Sequence, residues 1–102
     1  MTNISPEEIK QRKDAGENLH LLDVRELAEN QEFNIGGTLF PLGKIQGMET
    51  EEIEIWKEEE VICYCRSGSR SMMAAMFLEQ LGFSNVKNMV GGIIAWQEKF
   101  GK

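Results

Sequence analysis

Short apolar runs alternate with stretches of helical periodicity along the chain, and this alternation is the feature that most restricts the fold. Residues 19–24 and 61–64 are largely apolar runs of strand length, and residues 86–90 also have the pattern of a strand. Each is followed by a segment with the spacing or the turn residues of a helix. Strands that alternate with helices build a mostly parallel central sheet with helices on both faces, so we predict an α/β fold of this class.

The outer helices and strands are predicted from local signals. Ser5 ahead of Pro6 and Glu8 has the pattern of an N-cap with a capping box, and this first helix should end near Gly16. Apolar residues recur at helical spacing between residues 71 and 82, which predicts a helix after the central strand. We assign its methionine cluster to the core: Met72, Met73 and Met76.

The middle of the chain is weakly patterned because glycines interrupt it. There we predict a short helix near Leu27, a short strand around Leu39 and Phe40, and a short amphipathic helix over residues 50–56. Near the end, Ile93, Trp96 and Phe100 would share one face of a last helix that begins after residues 91–92.

Size and charge narrow the function classes. The chain has 102 residues, which suits one domain over residues 1–102. Its net charge of −6 would repel a phosphate backbone, so we do not expect a nucleic-acid partner. No apolar stretch is long enough to span a bilayer, and the first residues lack the pattern of a signal peptide. We expect a cytoplasmic protein with no membrane partner.

The segment after the central apolar run carries the strongest chemical signal. Cys65 is followed by five small or cationic residues: Arg66, Ser67, Gly68, Ser69 and Arg70. At a junction of strand, loop and helix, backbone N–H groups and the positive end of the helix dipole favour a thiolate over a thiol. A free cysteine is by default a core residue, but these neighbours suit an anion site better. We therefore assign Cys65 as a nucleophile.

The other candidate ligands receive structural assignments. Cys63 lies within the apolar run, where we expect it to pack in the core. Two cysteines and His20 do not have the spacing of a zinc site, so we predict no metal. His20 itself is assigned to a strand edge. Two cysteines close together on one strand also suit a reducing compartment better than a disulfide framework.

Four motifs together resemble a single-domain rhodanese, a sulfurtransferase module. They are residues 21–26 (LLDVRE), 65–70 (CRSGSR), 81–83 (LGF) and 91–96 (GGIIAW), which extend over almost the whole chain. One segment departs from the family pattern, which usually has Gly-His-Ile-x-Gly-Ala ahead of Pro-Leu. Here residues 33–38 are FNIGGT, with Asn34 where histidine is common. This departure concerns the wall of the pocket and not the cysteine.

The resemblance implies a ping-pong reaction that needs no cofactor. The Cys65 thiolate would take the sulfane sulfur of a donor such as thiosulfate as a persulfide and pass it to cyanide or a thiol. Arg70 would stabilise the anionic donor and the persulfide, and Arg66 would steer the donor. Asp23 and Arg25 would either hold the loop or form a structural ion pair. A protein could equally donate or accept the sulfur.

Two other function classes stay open at this stage. A cysteine phosphatase or arsenate reductase also uses a loop from cysteine to arginine, but those enzymes resemble Cys-x5-Arg. Here only four residues separate Cys65 from Arg70, which makes a ring better suited to one sulfur atom than to a phosphoryl group. The second class is a docking module or persulfide carrier that serves a protein partner, and the sequence does not separate it from an enzyme.

Overall fold

A five-stranded parallel sheet forms the centre of the computed structural model, which describes residues 1–102. Its strands lie in the order β1-β5-β4-β2-β3, so β4 has a neighbour on each side. The bounds are β1 Thr2–Ile4, β2 His20–Asp23, β3 Thr38–Leu39, β4 Glu60–Tyr64 and β5 Asn85–Met89. All four strand pairs are parallel.

Helices cover both faces of this sheet, as predicted. The α-helices are α1 Pro6–Asp14, α2 Leu27–Glu32, α3 Leu42–Gln46, α4 Ser69–Gln80 and α5 Gly92–Phe100, and a 3₁₀ helix spans Glu51–Trp56. Residues of α1 and α5 pack with Ile62 and Tyr64 of β4 on one face. Residues of α3 and α4 pack with Cys63 and Cys65 on the other. Alternate residues of β4 therefore enter two separate cores.

Several predicted elements are confirmed. The hydroxyl of Ser5 accepts a hydrogen bond from the backbone N–H of Glu8 at 3.1 Å, which caps α1 as the sequence indicated. The short elements near Leu27 and Leu39 and the helix before β4 are also present. His20 begins β2, where its ring stacks on Trp56 with centroids 4.4 Å apart. His20 therefore lies at the N-terminal end of its strand, whereas Cys65 lies at the carboxyl ends of the parallel strands.

Other predictions were incomplete or wrong. The three-residue strand β1 and the five-residue helix α3 were not predicted, because both are too short to show a period. The assignment of the methionine cluster to the core was wrong, since Met72, Met73 and Met76 are between 43% and 52% exposed. The buried side of α4 consists instead of Ser71, Ala74, Ala75 and Leu78. Small side chains let this helix lie close against the sheet.

None of the helices combines the length and the apolar character that a membrane crossing requires.

Cys63 provides a test of the packing in the α4-facing core. Its side chain is fully buried, and burial, together with the neighbouring Cys65, raises its pKa to about 12. We predict that Cys63→Ser lowers the free energy of unfolding by about 1–3 kcal/mol, because the hydroxyl would lack a partner in an apolar site. Urea unfolding measures this change. Cys63→Ala is the matched control and should cost less, since it introduces no polar atom; the reverse order would contradict the assignment.

Candidate active site

The loop between β4 and α4 places Cys65 beneath the first turn of a helix. Cys65 directly follows β4, and α4 begins at Ser69 with Gly68 as its N-cap residue. Gly68 has a φ of 108°, in the left-handed region where a side chain would be strained. The chain therefore turns sharply enough at this glycine for backbone N–H groups to point back at the cysteine.

Three hydrogen bonds reach the Cys65 sulfur. The N–H of Gly68 donates to Sγ at 3.1 Å, and the N–H and the hydroxyl of Ser71 each donate at 3.4 Å. Burial of the sulfur opposes ionisation, but the hydrogen bonds from Ser71, Gly68 and Ser67 outweigh it, so the pKa of Cys65 is lowered. Cys65 and Cys63 therefore differ sharply, because only one of these buried thiols has donors around it.

Ser71 and Asn88 belong to the site although the sequence analysis did not assign them. Both side chains are buried, and the Ser71 hydroxyl lies close to Asn88 Oδ1 and 3.2 Å from the carbonyl oxygen of Gly68. A hydroxyl has one proton, so Ser71 can donate to only one of these acceptors or to the sulfur at a time. The sequence signal that could have indicated Asn88 is a polar residue within a strand, at a position that the structure buries.

The start of α5 fixes the other side of the loop. The N–H groups of Ile93 and Ile94 donate to the carbonyl oxygens of Cys65 and Arg66 at 2.9 and 3.0 Å. Gly92 has a φ of 60°, and a Cβ there would lie 2.5 Å from the carbonyl oxygen of Arg66. Glycine at position 92 is thus required by close contact between two backbone segments.

The two loop arginines have different surroundings. The Arg70 guanidinium binds Glu29 of α2 in a bidentate pair, with both N–O distances at 2.8 Å. This pair lowers the pKa of Glu29 to about 2. Arg66 forms no ion pair and lines a cavity of about 150 Å³. The residues around that cavity are Arg25, Glu29, Glu32, Arg66, Ile93, Ile94 and Gln97.

Asp23 and Arg25 form a buried ion pair at the end of β2. The Arg25 Nε and Nη2 atoms donate to the two Asp23 carboxylate oxygens, each at 2.8 Å. Asp23 also accepts from Asn30, and Arg25 donates to the carbonyl oxygen of Phe33. These hydrogen bonds hold the segment around α2, and none reaches the Cys65 loop. Of the two roles left open for this pair, the contacts favour the structural one.

A second cavity, of about 390 Å³, lies on the other side of the loop. It is lined by Asn3, Ser67, Gly68, Ser69, Met72, Asn88, Val90 and Gly91, none of which is charged. The exposed Met72 thus contributes to a surface next to the loop and not to the core.

Asn34, at the position where histidine is common, accepts from the N–H of Gly36 at 2.8 Å and donates to the carbonyl oxygen of Asn30. It stabilises its own loop.

No group of three histidine, cysteine, aspartate or glutamate side chains lies in an arrangement that could hold a metal ion.

The model of the rhodanese-like domain family matches residues 5–99. The chain belongs to the rhodanese-like family. It is 38% identical over 97 residues to a protein of Allochromatium vinosum named sulfurtransferase, a match that covers 94% of this chain and 88% of the relative. It is also 39% identical over 97 residues to YrkF of Bacillus subtilis, which is named as a sulfur carrier protein. The match covers 94% of this chain but only 51% of that relative.

Solved structures agree with this membership. A rhodanese-like domain protein from Staphylococcus aureus superposes with a TM-score of 0.83 at 27% identity, over 94% of this chain and 91% of the other. The human single-domain sulfurtransferase TSTD1 superposes with a TM-score of 0.82 over 97% of each chain; at 22% identity it supports the fold. The family resemblance and the α/β fold class drawn from the sequence are therefore confirmed.

Ser71 provides a test of what ionises the sulfur. Because the pKa of Cys65 is lowered and that of Cys63 is about 12, the two thiols should titrate in separate steps. Absorbance of the thiolate near 240 nm should rise first with a midpoint below the pKa of an ordinary cysteine. Ser71→Ala should move this midpoint to higher pH, since the thiolate loses a donor. Cys65→Ser should remove the step, and an unmoved midpoint in Ser71→Ala would contradict the assignment.

Proposed function

We propose that this protein is a sulfurtransferase that carries sulfane sulfur on Cys65 as a persulfide. The observation that carries the proposal is the set of N–H and hydroxyl donors around the Cys65 sulfur, at the carboxyl end of the central strand. Donors in this arrangement stabilise a nucleophilic thiolate. Relatives named sulfurtransferase and sulfur carrier support the same chemistry.

The proposed reaction has two displacement steps. In the first, the Cys65 thiolate attacks the outer sulfur of thiosulfate; a bond to Sγ forms, the sulfur–sulfur bond of the donor breaks, and sulfite leaves with the electron pair. In the second, cyanide or a thiolate attacks the terminal sulfur of the persulfide and releases the Cys65 thiolate. No proton has to be moved by a side chain in either step, so the site needs no general base.

The loop supplies the charge stabilisation that these steps require. The terminal sulfur of a persulfide is anionic. In our proposal, the backbone N–H groups of residues 66–70 are the nearest hydrogen-bond donors to this sulfur. Cys65 is fully covered, so a donor reaches the sulfur only when atoms of the loop move aside.

A phosphatase or arsenate reductase fits this site less well. The loop has four residues between Cys65 and Arg70, and the Arg70 guanidinium is bound by Glu29 on both of its terminal nitrogens. A phosphoryl group would need a wider ring and a free bidentate arginine.

A carrier role remains compatible with the site, because a persulfide on Cys65 could be passed to a protein. Two free cysteines and no disulfide suit a reducing compartment, so we place the protein in the cytoplasm.

Intact-mass spectrometry tests the persulfide directly. After incubation with thiosulfate, we predict a mass gain of one sulfur atom, which cyanide removes with release of thiocyanate. Cys65→Ser should show no gain and no turnover, because it lacks the nucleophile. Cys63→Ser is the matched control and should still take up sulfur.

Other results would identify the alternatives. Sulfur uptake by Cys65→Ser would contradict the assignment of the nucleophile. Absence of an adduct in the wild type together with hydrolysis of a phosphoryl ester would favour the phosphatase. Absence of both, with uptake of sulfur from a persulfidated protein only, would identify a carrier.

A further inference from the structure

Three arginines, Arg25, Arg66 and Arg70, lie in the segments that follow β2 and β4, and the guanidinium groups of two of them are already bound. Asp23 holds Arg25 and Glu29 holds Arg70, each through two hydrogen bonds of 2.8 Å. Arg66 alone forms no ion pair. Of the two arginines in the loop after Cys65, one is therefore already neutralised by a carboxylate of the protein.

Glu29 is held in place from two directions. It is the third residue of α2, where its Oε1 atom accepts a hydrogen bond from the N–H of Glu26 at 3.1 Å in a capping box. Its two oxygens then face the Arg70 guanidinium, and this pair keeps the pKa of Glu29 at about 2. The carboxylate therefore stays charged at every pH at which a thiolate reacts.

The cavity between α2 and α5 has no net positive charge. Two arginines, Arg25 and Arg66, line it together with two glutamates, Glu29 and Glu32. A donor with two negative charges that approached Cys65 through this cavity would meet both carboxylates, with only Arg66 free to receive it. A donor with one negative charge faces a smaller repulsion from the same carboxylates.

We propose that Glu29 determines donor specificity: by holding Arg70 it disfavours thiosulfate and favours sulfur donors that carry a single negative charge. Thiosulfate can use Arg70 only by displacing a bidentate carboxylate, whereas a singly charged donor has less need of that arginine. This inference rests on the proposed function, because it concerns a donor that reacts at Cys65. Glu29 is a positioning residue in this role, since it acts through Arg70.

Two donors that differ mainly in charge test the proposal. Thiosulfate and methanethiosulfonate both present an outer sulfur on a sulfonyl-type centre, but a methyl group replaces one charged oxygen in the second. Attack by the Cys65 thiolate breaks the sulfur–sulfur bond of either donor and releases sulfite or methanesulfinate with the electron pair. Comparing each variant with the wild type, donor by donor, cancels the difference in leaving group.

Glu29→Gln is the informative variant, because glutamine at this position can still complete the capping box while lacking the charge. We expect kcat/KM for thiosulfate to rise about tenfold, chiefly through a lower KM, as one charge-assisted pair becomes available to the donor. For methanethiosulfonate the rise should stay below about threefold, because that donor has less charge to place on Arg70. Equal changes for both donors would overturn the proposal.

Two controls separate this role from a structural one. Glu32→Gln removes a carboxylate from the same cavity that forms no ion pair, so it should favour thiosulfate only through reduced repulsion, and by much less than Glu29→Gln does. In an Arg70→Gln background, Glu29→Gln should give no gain with thiosulfate, because the arginine that it frees is absent. A gain that persists there would overturn the proposal.

Failure of the inference is distinguishable from failure of the proposed function. Persulfide on Cys65 from methanethiosulfonate, with an unchanged donor preference in Glu29→Gln, removes only the specificity role. Absence of persulfide from every donor in the wild type removes the proposed function itself. Thermal unfolding of Glu29→Gln accompanies the kinetics, and a folded variant with equal changes for both donors counts against the proposal.

Discussion

The structure depends on a set of hydrogen-bond donors directed at one buried sulfur atom. Removing Cys65 from water opposes its ionisation, yet the donors from Gly68 and Ser71 lower its pKa. Those donors exist only because a glycine turns the chain into α4 directly after β4, and because the start of α5 holds the carbonyl oxygens of the same loop. The turn at Gly68, the turn at residues 91–92 and the parallel sheet below them thus together place these donors around the sulfur.

Much of this arrangement could be predicted from the sequence. The alternation of strands and helices indicated the α/β class, and the residues after Cys65 indicated a loop whose hydrogen-bond donors point at the sulfur. Both signals depend on residues that are close together in the sequence. The second is strong because a strand, a glycine and the start of a helix follow one another there. The short elements β1 and α3 escaped prediction because three to five residues do not establish a period.

Long-range contacts account for the remaining differences. Asn88 is 17 residues from Ser71 in sequence, and Glu29 is 41 residues from Arg70, so nothing local to the loop indicated either partner. The methionines of α4 were assigned to the core because their side chains are apolar. The sheet packs instead against the side of that helix that carries mostly small side chains. Which side of a helix is buried depends on the surface that it meets, and local spacing does not specify that surface.

The single proton of Ser71 has a consequence for the reaction cycle. In a persulfide the negative charge resides on the terminal sulfur, so Sγ becomes a poor acceptor. The Ser71 hydroxyl, with Asn88 and the carbonyl oxygen of Gly68 beside it, then has better acceptors than the sulfur. Rotation of the hydroxyl about its bond to Cβ would thus move its hydrogen bond from Sγ to one of these two oxygens in the proposed persulfide, without movement of the backbone.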